Sequence, residues 1–204
     1  MMKKVLMLLC SVALLTTVGC GPSKPDAVIA PPYNPDSVAS KAMELYDKDG
    51  DKKLSADELK ACPSMLWSLK SIDTDGDGAI SDAEIKARIQ GWIDMKVALT
   101  CPIVKFQLKN GKVAKDVIGK NVVLTPDPMM GELLKTSDPI AIDDNCQCSP
   151  STPGNQDNLG GMSYGFYNIK IDGTNYSNLG VEIYDGAKSS DMDSFVVELP
   201  KKGK

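Results

Sequence analysis

The most informative stretch of the chain is DTDGDGAISDAE, residues 73–84. Aspartates fill the first, third and fifth of its twelve positions, a serine fills the ninth, and a glutamate fills the twelfth. Gly78 stands at the sixth position, where a sharp bend requires a residue that tolerates positive φ. Ile80, at the eighth position, is apolar and can join the polar turn to a hydrophobic core. The stretch therefore predicts a turn that gathers side-chain oxygens around one point.

Oxygens at this spacing match the ligands of calcium, a hard cation that takes about six to eight oxygen ligands. A twelve-residue calcium loop supplies them from positions 1, 3, 5, 7, 9 and 12, with a backbone carbonyl at position 7. A solvated acidic turn is the alternative interpretation, but the helical patterns on both sides favour a calcium site. The predicted ligands are Asp73, Asp75, Asp77, Ala79, Ser81 and Glu84.

A second copy of the pattern, DKDGDKKLSADE, covers residues 47–58. Its only departure is Lys52, which stands where glycine is expected at position 6. A side chain held at positive φ costs about 1–2 kcal/mol, or about tenfold in affinity, so we predict a weaker second calcium ion here. The predicted ligands are Asp47, Asp49, Asp51, Lys53, Ser55 and Glu58.

Helical periodicity surrounds both loops. It predicts a helix from Ser37, a short helix at 56–61, another that starts at Pro63, and a longer one that ends near Lys96. The segments at loop positions 7–9 are expected to pair as a small antiparallel ribbon, with Leu54 opposite Ile80. Residues 37–96 are therefore predicted to form a compact helical unit with two mutually supporting loops.

The pattern changes to period two after residue 96. Strands without intervening helices predict an antiparallel β-sandwich over residues 97–204, and hence an α+β fold with a boundary near residues 97–101. The predicted strands are Val104–Leu108, Asn121–Thr125, Pro139–Ile142, Gly165–Ile171, Val181–Tyr184 and Ser194–Leu199.

The first residues have the composition of an export signal. Lys3 and Lys4 precede an apolar run that ends at TVGC, which resembles a bacterial lipoprotein signal with Cys20 as the lipidated residue. Secretion with cleavage nearby is the alternative, since Thr17 stands where leucine is usual. Residues 1–19 are thus a predicted signal peptide, and the proline-rich residues 20–36 a linker. The expected location is the cell envelope, with a lipid anchor in a bacterial membrane.

Charge and composition narrow the functional classes. Ten of the 27 acidic residues lie in the two loops, and Arg88 is the only arginine, so no nucleic-acid partner is expected. The chain has no histidine, which excludes Ser-His-Asp and Cys-His catalysis. The only loose cluster for carboxylate catalysis is Asp143 and Asp144 beside Asn145, and we predict that the protein is not an enzyme.

Four cysteines remain outside the signal and the lipidation site: Cys62, Cys101, Cys146 and Cys148. An even number in an exported protein predicts disulfides with three connectivities, of which Cys62–Cys101 with Cys146–Cys148 is one. A thiolate metal site is an alternative, although it would lack the usual Cys-x-x-Cys spacing.

Residues 46–93 resemble EF-hand pairs, in particular the compact pairs of bacterial exported proteins. Beyond its signal, the chain resembles planctomycete-type lipoproteins that join a proline-rich linker and an EF-hand pair to a transthyretin-like β-sandwich. Gly165–Ile171 and Asn175–Ile183 carry the second part of this resemblance. It implies calcium binding without an established enzymatic activity, and Lys52 and the Cys-Gln-Cys insert at 146–148 depart from the family.

Three functions follow from these features. The first is a non-enzymatic exported lipoprotein in which calcium stabilises the EF-hand pair, while the β-sandwich binds an unknown protein or glycan. The second is a dockerin-like adaptor that grips a protein partner when calcium is bound. The third is an enzyme that acts through the carboxylates at residues 143 and 144.

Overall fold

The computed structural model describes residues 29–153, 161–187 and 194–200. The predicted signal peptide, Cys20 and the linker up to residue 28 lie outside this part of the chain. Its helices are α1 (Pro35–Tyr46), α2 (Pro63–Ile72) and α3 (Asp82–Met95). None of the helices within the described ranges has the length and apolar character needed to cross a membrane.

Local sequence explains where these helices begin. Pro35 occupies the first turn of α1, and the side chain of Asn34 caps that turn by accepting a hydrogen bond from the Ser37 N–H at 3.0 Å. Ser81 and Glu84 form a capping box at the start of α3. All three helices bury an apolar face, which confirms the helices predicted from the periodicity of apolar residues.

The predicted short helix at residues 56–61 is instead a 3₁₀ turn at Glu58–Ala61. Pro63 explains the difference, because it starts α2 and disfavours helical backbone at the residue before it. The chain between the two loops is therefore too short for two regular helices.

The strands fall into three sheets. β1 (Lys53–Ser55) and β2 (Ala79–Ser81) form an antiparallel ribbon, a second sheet has the order β6-β3-β9, and a third has the order β5-β4-β7-β8. The remaining strands are β3 (Val104–Leu108), β4 (Asn121–Pro126), β5 (Ile140–Ala141), β6 (Gln147–Cys148), β7 (Gly165–Ile171), β8 (Leu179–Ile183) and β9 (Phe195–Leu199).

Two predicted strands, Val104–Leu108 and Gly165–Ile171, have the observed bounds, and the other four are present with shifted ends. The α+β class is confirmed, but one strand pair departs from the expected antiparallel arrangement. β3 pairs with β9 in parallel, with Val104 opposite Phe195. Alternating side chains indicate that a segment is a strand without fixing its direction, and long connections permit a parallel pair. The two-residue β6 was not predicted, since it is too short to show alternation.

Helices and sheets share one hydrophobic core. The ring of Trp92 on α3 lies 5.1 Å from that of Phe166 on β7. α2 lies so close to β8 that a Cβ on Gly180 would overlap the backbone nitrogen of Ser64. The predicted domain boundary near residues 97–101 stays a prediction, but the two parts do not have separate cores.

Candidate metal centre

The structure brings the two predicted loops side by side, as expected. Leu54 pairs with Ile80 in the ribbon, and both side chains are fully buried. These residues therefore anchor the centre of the loop pair in the core, while the aspartates at positions 1, 3 and 5 of each loop are partly or fully exposed.

Backbone amides orient the carboxylates of the second loop. Asp73 accepts hydrogen bonds from the N–H groups of Gly76 at 2.7 Å and Gly78 at 2.9 Å, one on each carboxylate oxygen. Asp75 accepts from the N–H of Asp77 at 3.1 Å. The loop thus closes on its own carboxylates, and their positions are fixed by local backbone geometry.

Glu84 closes the second loop from the start of α3. Its Oε1 accepts hydrogen bonds from the N–H (2.6 Å) and hydroxyl (3.0 Å) of Thr74, and its Oε2 accepts from the N–H (2.9 Å) and hydroxyl (2.8 Å) of Ser81. Burial opposes ionisation of this carboxyl, but these hydrogen bonds prevail and lower its pKa to about 2. Glu84 is therefore an anion at neutral pH. The contribution of Thr74 was not predicted, although its hydroxyl was visible in the sequence.

The first loop repeats this arrangement despite Lys52. Asp47 accepts hydrogen bonds from the N–H groups of Gly50 at 2.7 Å and Lys52 at 3.0 Å. Glu58 accepts from the N–H of Lys48 at 2.8 Å and from Ser55, and these bonds lower its pKa to about 2. Lys52 has a φ of 66°, so the left-handed bend is formed by a residue that disfavours it.

Three carboxylates converge in each loop. Their oxygens lie within 4.8 Å of one another in two groups, Asp47 with Asp49 and Glu58, and Asp73 with Asp75 and Glu84. Grouped carboxylate oxygens are the hard donors that calcium prefers. The remaining predicted ligands stay predictions: Asp51, Lys53, Ser55, Asp77, Ala79 and Ser81.

A salt bridge crosses between the loops and was not predicted. The ammonium of Lys53, at position 7 of the first loop, contacts Oδ2 of Asp77, at position 5 of the second. The hydrogen bond from Lys53 is the main cause that lowers the pKa of Asp77. The other oxygen of Asp77 accepts from the N–H of Ala79 at 2.9 Å, so Lys53 occupies the oxygen that remains for a cation.

The disulfide prediction is not supported by the structure, in which the described cysteines form no disulfide with one another. Cys62 is fully buried and its sulfur lies 3.4 Å from Oδ2 of Asp127, whereas Cys101 is exposed. The thiol of Cys146 donates to the carbonyl of Ala114 at 3.4 Å. The sulfurs of Cys62 and Cys146 thus contact polar groups of other segments, which the number of cysteines could not predict.

The acidic cluster at residues 143–145 forms a turn. Oδ1 of Asp143 accepts hydrogen bonds from the N–H groups of Asn145 at 2.9 Å and Gln147 at 3.0 Å. The bond from Gln147 is the main cause that lowers the pKa of Asp143. This carboxylate therefore stabilises the connection to β6, and Asp144 beside it is exposed.

Comparison with known protein families agrees with the geometry of the second loop. The family model described as EF hand matches residues 68–89, which include the whole loop with parts of α2 and α3. No curated protein and no solved structure matches the chain. The chain thus carries an EF-hand motif, which supports calcium binding at the second loop.

Proposed function

We propose that this protein is a non-enzymatic calcium-binding protein in which calcium stabilises an EF-hand pair packed on the β-sheets. The main support for the proposal is that the same hydrogen-bonded loop occurs twice, each time with three converging carboxylates. Three negative charges held this close repel one another, and a divalent cation relieves that repulsion.

A stabilising role fits the way the helices are packed. Helices that open on calcium binding expose an apolar groove, whereas α2 lies against β8 and Trp92 of α3 against Phe166. The same packing disfavours a dockerin-like adaptor, because the main apolar faces of α2 and α3 pack against the β-sheets. A ligand at about 100 times its Kd stabilises a protein by about 2.7 kcal/mol per site.

We further propose that the protein is exported and acts in the cell envelope. The apolar run before Cys20 supports a lipid anchor, and calcium sites outside cells often bind with a Kd of about 10⁻⁴–10⁻³ M. We place a transthyretin-like interaction role, toward a protein or glycan, on the β-sheets. The short strand patterns at Gly165–Ile171 and Asn175–Ile183 support this part of the proposal.

Thermal melting with calcium and with excess EGTA tests the proposal. Calcium should raise the Tm by several degrees, and Glu84→Gln should remove much of that gain. Glu44→Gln is a matched control, because this exposed residue of α1 pairs with Lys41 and lies outside both loops. An identical Tm in calcium and in EGTA would refute a stabilising role.

A further inference from the structure

Two buried carboxylates outside the loops contact the segments that flank them. Asp127 follows β4 and Glu182 lies on β8, and their side chains are 1% and 0% exposed. Neither belongs to the predicted ligand sets. Acidic side chains are almost never fully buried unless they are paired, so their partners identify their role.

Asp127 joins the two ends of the first loop. Its Oδ1 accepts a hydrogen bond from the hydroxyl of Tyr46 at 2.6 Å, and its Oδ2 accepts from the thiol of Cys62 at 3.4 Å. Tyr46 directly precedes Asp47, the first predicted ligand of this loop. Glu58, the last predicted ligand, begins the 3₁₀ turn that ends at Cys62. One carboxylate therefore holds both the entry to this loop and the exit from it.

Glu182 makes the corresponding contacts around the second loop. Its Oε1 accepts a hydrogen bond from the indole N–H of Trp92 at 3.1 Å and forms an ion pair with Arg88 at 3.4 Å, both on the exit helix α3. Arg88 in turn donates to the hydroxyl of Ser71 at 2.8 Å, near the end of the entry helix α2. Glu182 thus holds the exit helix directly and the entry helix through Arg88.

The β-sheets fix both carboxylates independently of the loops. Oδ2 of Asp127 also accepts a hydrogen bond from the amide of Asn168 on β7 at 3.2 Å, and Glu182 sits within β8 opposite Phe166. Removing one partner of a buried polar group leaves the other unsatisfied, so each of these contacts favours the observed arrangement.

We infer that Asp127 and Glu182 are positioning residues, each of which couples one calcium loop to the β-sheets. Asp127 acts on the first loop through Tyr46 and Cys62, and Glu182 acts on the second through Trp92 and Arg88. This inference goes beyond the proposed calcium binding, because it assigns each loop a separate mechanical link to the rest of the molecule. Only the expected effect on calcium affinity rests on the proposed function.

Amide hydrogen exchange of the calcium-free protein tests the link without relying on metal binding. Asp127→Asn should speed exchange at the Lys48 and Ser55 amides about tenfold, with little change at Thr74 and Ser81. Glu182→Gln should give the reverse pattern. Calcium titration of the same variants should weaken the affinity of the affected loop by about the same factor.

Ser137→Ala is the matched control, because this buried hydroxyl accepts from the Leu124 N–H and contacts neither loop. It should destabilise the β-sheets without selecting one loop. Tyr46→Phe, which removes one hydroxyl, replaces Asp127→Asn if that variant fails to fold. Equal acceleration of both loops, or of neither, would overturn the inference. If the wild-type protein binds no calcium, the proposed function fails while the exchange pattern still decides this coupling.

Discussion

Lys52 is the single departure from the pattern of the calcium loops, and Lys52→Gly measures its cost. Its φ of 66° places it in the left-handed region, where a Cβ costs about 1–2 kcal/mol. Glycine removes that cost but gives the unfolded chain more freedom, which offsets about 0.4–1 kcal/mol. The calcium-saturated variant should therefore gain about 1 kcal/mol in its free energy of unfolding.

Calcium affinity at the first loop should rise in the same variant. The change removes a positive charge next to the carboxylates and lets the backbone bend without strain, so the Kd should fall by up to about tenfold. Urea denaturation in calcium measures the stability, and calorimetric calcium titration measures the affinity. The second loop serves as an internal reference, because its sequence is unchanged.

Gly78→Lys is the matched reverse change in the second loop. Gly78 has a φ of 86°, and a Cβ at this position would have nothing within 4 Å, so a lysine costs only backbone conformation. Stability should fall by about 1 kcal/mol, and the second site should weaken toward the first. If Lys52→Gly left both the unfolding curve and the titration unchanged, position 6 would not limit the first loop.

Three further predictions concern separate parts of the molecule. Lys53→Gln removes the ammonium that contacts Asp77, so calcium titration at low salt should show about twofold to fivefold tighter binding at the second loop. Gly180→Ala should lower the free energy of unfolding in urea by about 1–3 kcal/mol, because its Cβ would overlap the backbone of α2. Maleimide at pH 8 should modify exposed Cys101 in the folded protein but spare Cys62, because burial is the main cause that raises the pKa of the Cys62 thiol to about 12.

Each of these predictions has a clear control. The effect of Lys53→Gln should shrink in high salt, and a salt-independent change would point to altered loop structure instead. Gly91→Ala should not destabilise, because its Cβ would lie in α3 at an ordinary 3.5 Å from the Tyr184 hydroxyl. Cys62 should become reactive once urea unfolds the protein, and peptide mass spectrometry would show whether it reacts earlier.

The calcium loops could be predicted from the sequence because the hydrogen bonds that orient their carboxylates are local. The carboxylate of Asp73 bonds to the Gly76 and Gly78 amides, and that of Glu84 to residues at most ten positions away. The positive φ at Lys52 likewise followed from its position in the loop. Spacing alone therefore predicted the local fold of each loop, but not the salt bridge from Lys53 to Asp77 that joins the two loops.

The rest of the molecule depends on distant pairings that spacing does not encode. The alternation of β3 and β9 identified both strands, but not that Val104 would lie opposite Phe195 in a parallel pair. Asp127 and Glu182 stand in no local motif, and they meet Tyr46 and Trp92 only after the helices pack on the sheets. The cysteine count predicted disulfides, but a count carries no information on the distances between the sulfur atoms.

Calorimetric calcium titration of the chain without residues 1–20 tests most directly whether both loops bind calcium. We expect two sites per chain, of which the tighter is lost in Glu84→Gln and the weaker in Glu58→Gln. Asp143→Asn, which alters an acidic turn outside the loops, should keep both sites. A wild-type protein that takes up no calcium, or a tighter site that survives Glu84→Gln, would contradict the assignment.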